Sequence, residues 1–178
     1  MRYFTVVFLL LLPILAACSS VEVEDYASNQ PLMDPRTFFS GPLVAHGVIK
    51  DRSGKVFRRF TADILGHWQG ETGTLEEDFR FADGETERRV WTLRKHADGH
   101  YTATAGDVIG EGRASVAGNA MFLDYVLRVP WRDGSIDLHV DDRMYLVNED
   151  VLINESVMSK FGFRVGSILL TIVRVGNS

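Results

Sequence analysis

Arginines precede aromatic residues at two places, Arg58-Arg59 before Phe60 and Arg88-Arg89 just before Trp91. Successive side chains of a β-strand face opposite sides. If both stretches are strands, one arginine of each pair faces the covered side of the sheet. A buried guanidinium is costly unless an anion meets it. Two kinds of anion stay open. One is an internal acid such as Asp107 or Asp124. The other is the carboxylate or phosphate head of a ligand, which the planar guanidinium matches well. Aromatic surface is spread along the chain at Trp68, Phe79, Trp91, Tyr101, Phe122, Tyr125, Trp131 and Tyr145, part of it core. Trp68, Arg89, Trp91 and Tyr125 are the expected ligand-binding residues. The two tryptophans would line or close a cavity, and Arg89 would meet an anionic head.

A search for catalytic groups returns little. Ser115, Ser135, Ser156 and Ser159 lack the Gly-x-Ser-x-Gly setting of a nucleophile elbow. Carboxylates cluster at Glu76-Glu77-Asp78, Asp141-Asp142 and Glu149-Asp150. Neighbours on a strand point apart, so these read as turn chemistry and a solvated rim, not as facing acid–base pairs. The histidines are His46, His67, His96, His100 and His139. His96 and His100 flank Ala97-Asp98-Gly99 and could meet across a hairpin, but zinc takes three or four protein ligands. No histidine follows His139, so the last strands offer haem iron no imidazole. No catalytic residue, metal or cofactor is expected.

These side chains need a scaffold. The chain has 178 residues, 46% of them apolar, which suits one folded domain. Its formal charge of −5 argues against nucleic acid as a partner, since phosphate binding needs a basic surface. From Phe38 onward, short apolar runs alternate with turn signals such as Asp51-Arg52-Ser53-Gly54, Ala82-Asp83-Gly84, Ala97-Asp98-Gly99, Gly118-Asn119 and Arg132-Asp133-Gly134. They separate candidate strands near 43–50, 55–65, 73–81, 86–95, 100–108, 112–117, 120–129, 135–147, 151–158 and 165–175. The segment Asn154–Phe163 is the weakest of these and could hold a helical turn. About ten short strands in tight hairpins predict an all-β fold, an antiparallel up-and-down β-barrel, because closure removes exposed edges. A barrel of this size can hold one small ligand.

The start of the chain reads as an address. Arg2, an apolar run over Val6–Leu12 and the small residues Ala16-Ala17 describe a secretory signal peptide. Leu15-Ala16-Ala17-Cys18 resembles the lipobox of bacterial lipoproteins. That resemblance implies that residues 1–17 are removed and that Cys18, the chain's one cysteine, carries the lipid. Two acyl chains suffice for stable anchoring. Ser19 after the cysteine implies, by the same resemblance, the outer membrane and a periplasmic location. Residues 18–36 are polar, acidic and contain Pro31 and Pro35, and are expected to form a tether before a barrel domain over 37–178.

Two further resemblances bear on the barrel. Gly66-His67-Trp68 is similar to the Gly-x-Trp signature of lipocalins, in which the Trp closes one end, although here it follows two candidate strands. A longer set of blocks resembles the bacterial lipoproteins grouped as domain of unknown function 3833. They are Asp51-Arg52-Ser53-Gly54-Lys55, Gly73-Thr74-Leu75-Glu76-Glu77, Arg88-Arg89-Val90-Trp91, Asp107-Val108-Ile109-Gly110, Gly118-Asn119-Ala120, Asp141-Asp142-Arg143-Met144-Tyr145-Leu146, Ile153-Asn154-Glu155-Ser156 and Met158-Ser159-Lys160-Phe161-Gly162. The resemblance implies a lipocalin-like barrel on an envelope lipoprotein and a link to fatty-acid-modifying enzymes, but assigns no residue a role. The expected function is a membrane-anchored lipoprotein that binds or carries a fatty acid or lipid. Its alternatives are a structural or assembly lipoprotein using its outer surface, a lipid-modifying envelope enzyme, and a haem-binding barrel.

Overall fold

The computed structural model describes residues 20–176. Cys18 and the apolar leader lie outside the described residues. Ten antiparallel strands follow in chain order: β1 (Gly41–Asp51), β2 (Val56–Gln69), β3 (Thr72–Phe81), β4 (Thr86–Lys95), β5 (Tyr101–Thr104), β6 (Gly112–Ala117), β7 (Ala120–Trp131), β8 (Gly134–Asn148), β9 (Val151–Lys160) and β10 (Phe163–Arg174). Each pairs with its neighbours in sequence, and β10 pairs with β1 from Leu43↔Arg174 to Asp51↔Gly166. The result is the expected closed up-and-down barrel, lipocalin-like in form.

The hairpins follow from their turn residues. At β1–β2, β3–β4 and β4–β5 the turn ends on a glycine, with φ 91° at Gly84 and 90° at Gly99. An L side chain is strained there, and the glycine gives the bulged turn that matches strand twist. Asp51 reinforces its own turn by accepting from the Ser53 and Lys55 amides at 2.8 and 3.1 Å.

Two segments differ from the sequence-based expectation. The strand expected over 100–108 stops at Thr104, and the chain from Ala105 to Glu111 is a loop carrying Asp107. Asn154–Phe163 contains no helical turn: β9 runs to Lys160, and Phe161-Gly162 form a tight hairpin turn.

The stretch expected to be a tether is largely laid against the barrel. A short 3-10 helix at Val23–Tyr26 buries Val23, and Tyr26 meets Phe122 edge-on and Tyr145 at a tilt, at centroid distances of 5.8 and 5.1 Å. The Met33 amide donates to the Gly118 carbonyl at 2.7 Å. A one-turn helix, α1 (Pro35–Phe38), is capped by Asp34, with Pro at its first turn. Met33, Phe38 and Phe39 then enter the core as a plug over one end of the barrel. Apolar side chains at these positions offset the entropy of ordering a polar segment.

Gly66, Trp68 and Gly73 explain that plug. Trp68 donates its indole N–H to the Phe39 carbonyl at 3.2 Å. The same carbonyl passes over Gly66 so closely that a Cβ there would overlap it. Across the β2–β3 ladder, Gly73 leaves space for the Trp68 ring, which a Cβ would approach to 2.5 Å. The Gly-x-Trp pattern therefore closes one end, from within β2. Gly66→Ala should lower the thermal midpoint by roughly 5 °C or more, because backbone must shift to admit the methyl. His67→Ala, on the exposed face of β2, should leave the midpoint nearly unchanged in the same melt.

Candidate functional site

Alternation around a closed barrel sorts the interior into three layers. The closed end is apolar and packed, with Met33, Phe38, Phe39, Leu43, Leu93, Tyr101, Leu146 and Leu152 all buried. Trp68 meets Tyr101 edge-on at 6.3 Å. Above it lies a polar belt. At the opposite end, the inward residues Ile49, Phe79, Phe81, Val129, Met158, Ile168 and Leu170 keep part of their surface exposed. The barrel is thus a cup with a packed floor and an apolar mouth.

The belt is built by the pleat. The inward row of β3 reads Gly73, Leu75, Glu77, Phe79, and that of β8 reads Leu138, Val140, Asp142, Met144. One acid in each row must therefore point inside. Arg89 faces Glu77 across the β3–β4 ladder, and Ser156 faces Asp142 across β8–β9. Tyr125 of β7 meets Trp91 edge-on at 5.2 Å.

Arg89 binds Asp107 through Nε at 3.0 Å and Nη2 at 2.6 Å, and reaches Glu87 at 3.3 Å. Of the two anions left open by the sequence, the internal acid Asp107 is the one found beside Arg89. Asp124 faces outward and pairs with His139. Arg88 also faces outward, toward Glu76 and Asp78. Arg58 sits at the mouth and pairs with Asp83 and Glu85.

Besides the more exposed Glu87, three carboxylates inside the barrel, Glu77, Asp107 and Asp142, then share one guanidinium. Burial pushes Glu77 up to about 7, against the pull of Arg89 and a hydrogen bond with Trp91. Burial also raises Asp142 to about 6, although Ser156, Tyr125 and Asn154 hydrogen-bond to it. The Tyr125 hydroxyl is driven well above its ordinary range by burial and by Asp142. Burial works against the charge on Arg89, but Glu77 and Asp107 outweigh it and keep the guanidinium firmly protonated. Among the described residues four buried side-chain oxygens have no donor: Oδ1 of Asn119, in the β6–β7 turn, and three at the belt, Oδ1 of Asp107, Asp142 and Asn154. Buried polar atoms are nearly always paired, so this concentration of acceptors is unusual.

Glu77 and Asp142 correct the solvated-rim reading of their clusters. The signal was one acid inside a period-two apolar row, visible at Leu75-x-Glu77-x-Phe79 and Val140-x-Asp142-x-Met144. Of the expected ligand residues, Arg89, Trp91 and Tyr125 come together at the belt, whereas Trp68 belongs to the floor and plug. His46, His67 and His139 face outward; His96 and His100 stack on each other at a hairpin, with ring centroids 4.3 Å apart. Among the described residues, no cluster of three or more His, Cys, Asp or Glu could hold a metal.

Comparison with known proteins places the chain. The profile described as "Protein of unknown function (DUF3833)" matches residues 12–174. The chain belongs to the DUF3833 family. No curated protein matches it. Two solved structures are similar in fold. The S-type phycobiliprotein lyase CPES from Guillardia theta superposes with a TM-score of 0.60 at 13% identity, over 82% of this chain and 95% of that one. Rv2717c from M. tuberculosis superposes with a TM-score of 0.55 at 18% identity, over 83% and 99%. At these identities the likeness is one of barrel architecture.

The belt carries a pH dependence. Glu77 and Asp142 hold protons in the folded chain that the unfolded chain has released, across a window from about pH 4 to about pH 7. Stability therefore falls as pH rises through that window. The surface acids Asp51, Asp63, Asp83, Asp98 and Asp137 are shifted downward and act below it. Thermal melts should show a lower midpoint at pH 8 than at pH 5.5, with Glu77→Gln removing much of the difference. Equal midpoints in the parent at the two pH values would show that the belt acids are not held protonated.

Proposed function

We propose that this DUF3833 protein is an envelope lipoprotein, acylated at Cys18 and anchored to the outer membrane, whose barrel takes a hydrophobic ligand through its open mouth. The apolar chain of the ligand lies against Ile49, Phe79, Met158, Ile168 and Leu170, and its head group reaches the belt. The observation that carries this reading is the set of partnerless acceptors on Asp107, Asp142 and Asn154 directly below an apolar rim whose inward side chains are only part-buried. Fold likeness to a phycobiliprotein lyase supports a ligand-binding barrel in general terms.

The same charges refine the head group. Arg89 is already engaged by Asp107, and Glu77 and Asp142 stand nearby, so a free carboxylate meets net repulsion. A head that donates hydrogen bonds fits better: a hydroxyl, an amine or a protonated fatty acid. Trp91 and Tyr125 frame the bottom of this space, and Arg89 orients the belt rather than binding an anion alone.

Displacement of a fluorescent fatty acid from the purified protein tests this. Palmitic acid should bind roughly 10-fold more weakly at pH 8 than at pH 5.5, as the belt acids and the ligand ionise together. Hexadecanol should retain its affinity at pH 8. Ile49→Trp, which fills the mouth without touching the belt, should weaken both ligands. Failure of both ligands to displace the probe at either pH would end the reading. Anchoring is checked separately by labelling cells with radioactive palmitate, which should mark the parent and not Cys18→Ser.

A second reading has one observation in its favour. Two carboxyls raised to about 7 and about 6 lie in the range of acid–base catalysts, so a lipid-modifying enzyme could use Glu77 and Asp142. Turnover of a lipid ester that Glu77→Gln abolishes, with ligand binding intact, would select it.

A further inference from the structure

The open end carries a surface that the cup does not need. Around the barrel, the β1–β2, β9–β10 and β7–β8 hairpins stand side by side. Their tips expose Phe57 (62%), Phe161 (89%), Phe163 (76%) and Trp131 (57%) to solvent. Large aromatics on adjacent tips make an apolar patch of the kind that marks a contact surface.

Phe161 is held there at a conformational cost. Its φ is +52°, a region that suits Gly or Asn and is an outlier for a bulky side chain. The ring gains little packing in return; Lys160 Nζ lies 5.0 Å from its centroid. Arg132, beside Trp131, has the same φ.

Charge segregates with the aromatics. Arg52, Lys55, Arg132, Lys160 and Arg164 stand on these three hairpins, and among the described residues none of them forms an ion pair. Asp51 is turned into its own loop, which leaves Asp133 as the loose acid on this half. The other half of the rim carries Asp83, Glu85, Glu87 and Glu111. Lys160 donates to the Asp137 main-chain carbonyl at 2.7 Å and Arg164 to the Ser167 hydroxyl at 2.8 Å, so neither meets a carboxylate. A chain of net charge −5 thus gathers cations without ion-pair partners among exposed aromatics on one side of its mouth.

We propose that the β1–β2, β7–β8 and β9–β10 tips dock on an anionic lipid bilayer, with Phe57, Trp131, Phe161 and Phe163 entering the interface and the basic residues meeting the head groups. Aromatic rings favour that depth, and each basic side chain adds attraction to anionic lipid. The surface lies at the opposite end of the barrel from the plug formed by the N-terminal segment, so the contact is distinct from whatever Cys18 carries. It holds whether or not the cup takes a ligand.

The test is flotation with phosphatidylcholine vesicles, with and without phosphatidylglycerol. The chain used starts at Ser19, so neither acylation nor the apolar leader can contribute, and it holds every residue of the described fold. The parent should float with phosphatidylglycerol vesicles and dissociate on added salt. Phe161→Asn with Phe163→Ser should cut binding roughly 10-fold. Phe161→Asn relieves the backbone, so the single variant should melt at or above the parent while binding less, which separates docking from folding. Arg52→Ser with Arg164→Ser should reduce flotation only where phosphatidylglycerol is present. A parent that does not float, equal flotation of parent and aromatic variant, or indifference to phosphatidylglycerol overturns the proposal. Ligand displacement is measured without vesicles, so loss of one activity leaves the other standing.

Discussion

Closure of β1 on β10 is the constraint on which the rest of the structure depends. An open ten-stranded sheet would leave two edges and let strands slip. A closed ladder fixes register all round, and a slip of one residue would turn every inward side chain out. Closure therefore compels the burial of whatever occupies the inward row. That is why Glu77, Arg89 and Asp142 are inside although each is costly there. The surrounding apolar rows hold the barrel together strongly enough to carry the cost, and Asp107, from outside the ladder, supplies the countercharge for Arg89.

The belt is a case of one cation shared among too many acids. Arg89 and Asp107 satisfy each other geometrically, which leaves Glu77 and Asp142 to be stabilised by protonation or by hydrogen bonds. Tyr125, Ser156 and Asn154 gather around Asp142 for this purpose. The remaining acceptors are the chemical signature of the site: once Glu77 and Asp142 are ionised, the belt is rich in lone pairs and poor in donors. Its preference for a donating head group follows from this imbalance.

The two ends of the barrel are made unlike by the segment before β1. Phe38 and Phe39 enter one end, and the Phe39 carbonyl is received by Gly66 and Trp68. The other end has no such plug among the described residues, so its inward side chains stay partly exposed. Charge is divided by the same asymmetry. Several wall arginines are paired, as Arg80 with Asp63 and Arg128 with Asp137, whereas Arg52, Lys55, Arg132, Lys160 and Arg164 on three mouth hairpins form no ion pair among the described residues.

Much of this was legible in the sequence, because turns and strand alternation are local. Glycine after aspartate marked the hairpins, and period-two patterns set strand limits to within a few residues. The inward direction of Arg89 followed from its place beside Trp91. The barrel itself followed from the number and spacing of strands. What the sequence left open were matters of distance between segments far apart in the chain. Which acid meets Arg89 depends on where the 105–111 loop falls, and Thr104 ends β5 sooner than composition suggests. The packing of residues 23–39 was hidden because a polar, proline-containing stretch has the composition of a tether, and only its few apolar side chains fit the barrel end. Local chemistry decided the strands and their faces. Only closure decided which faces met, and so which charges had to live together without water.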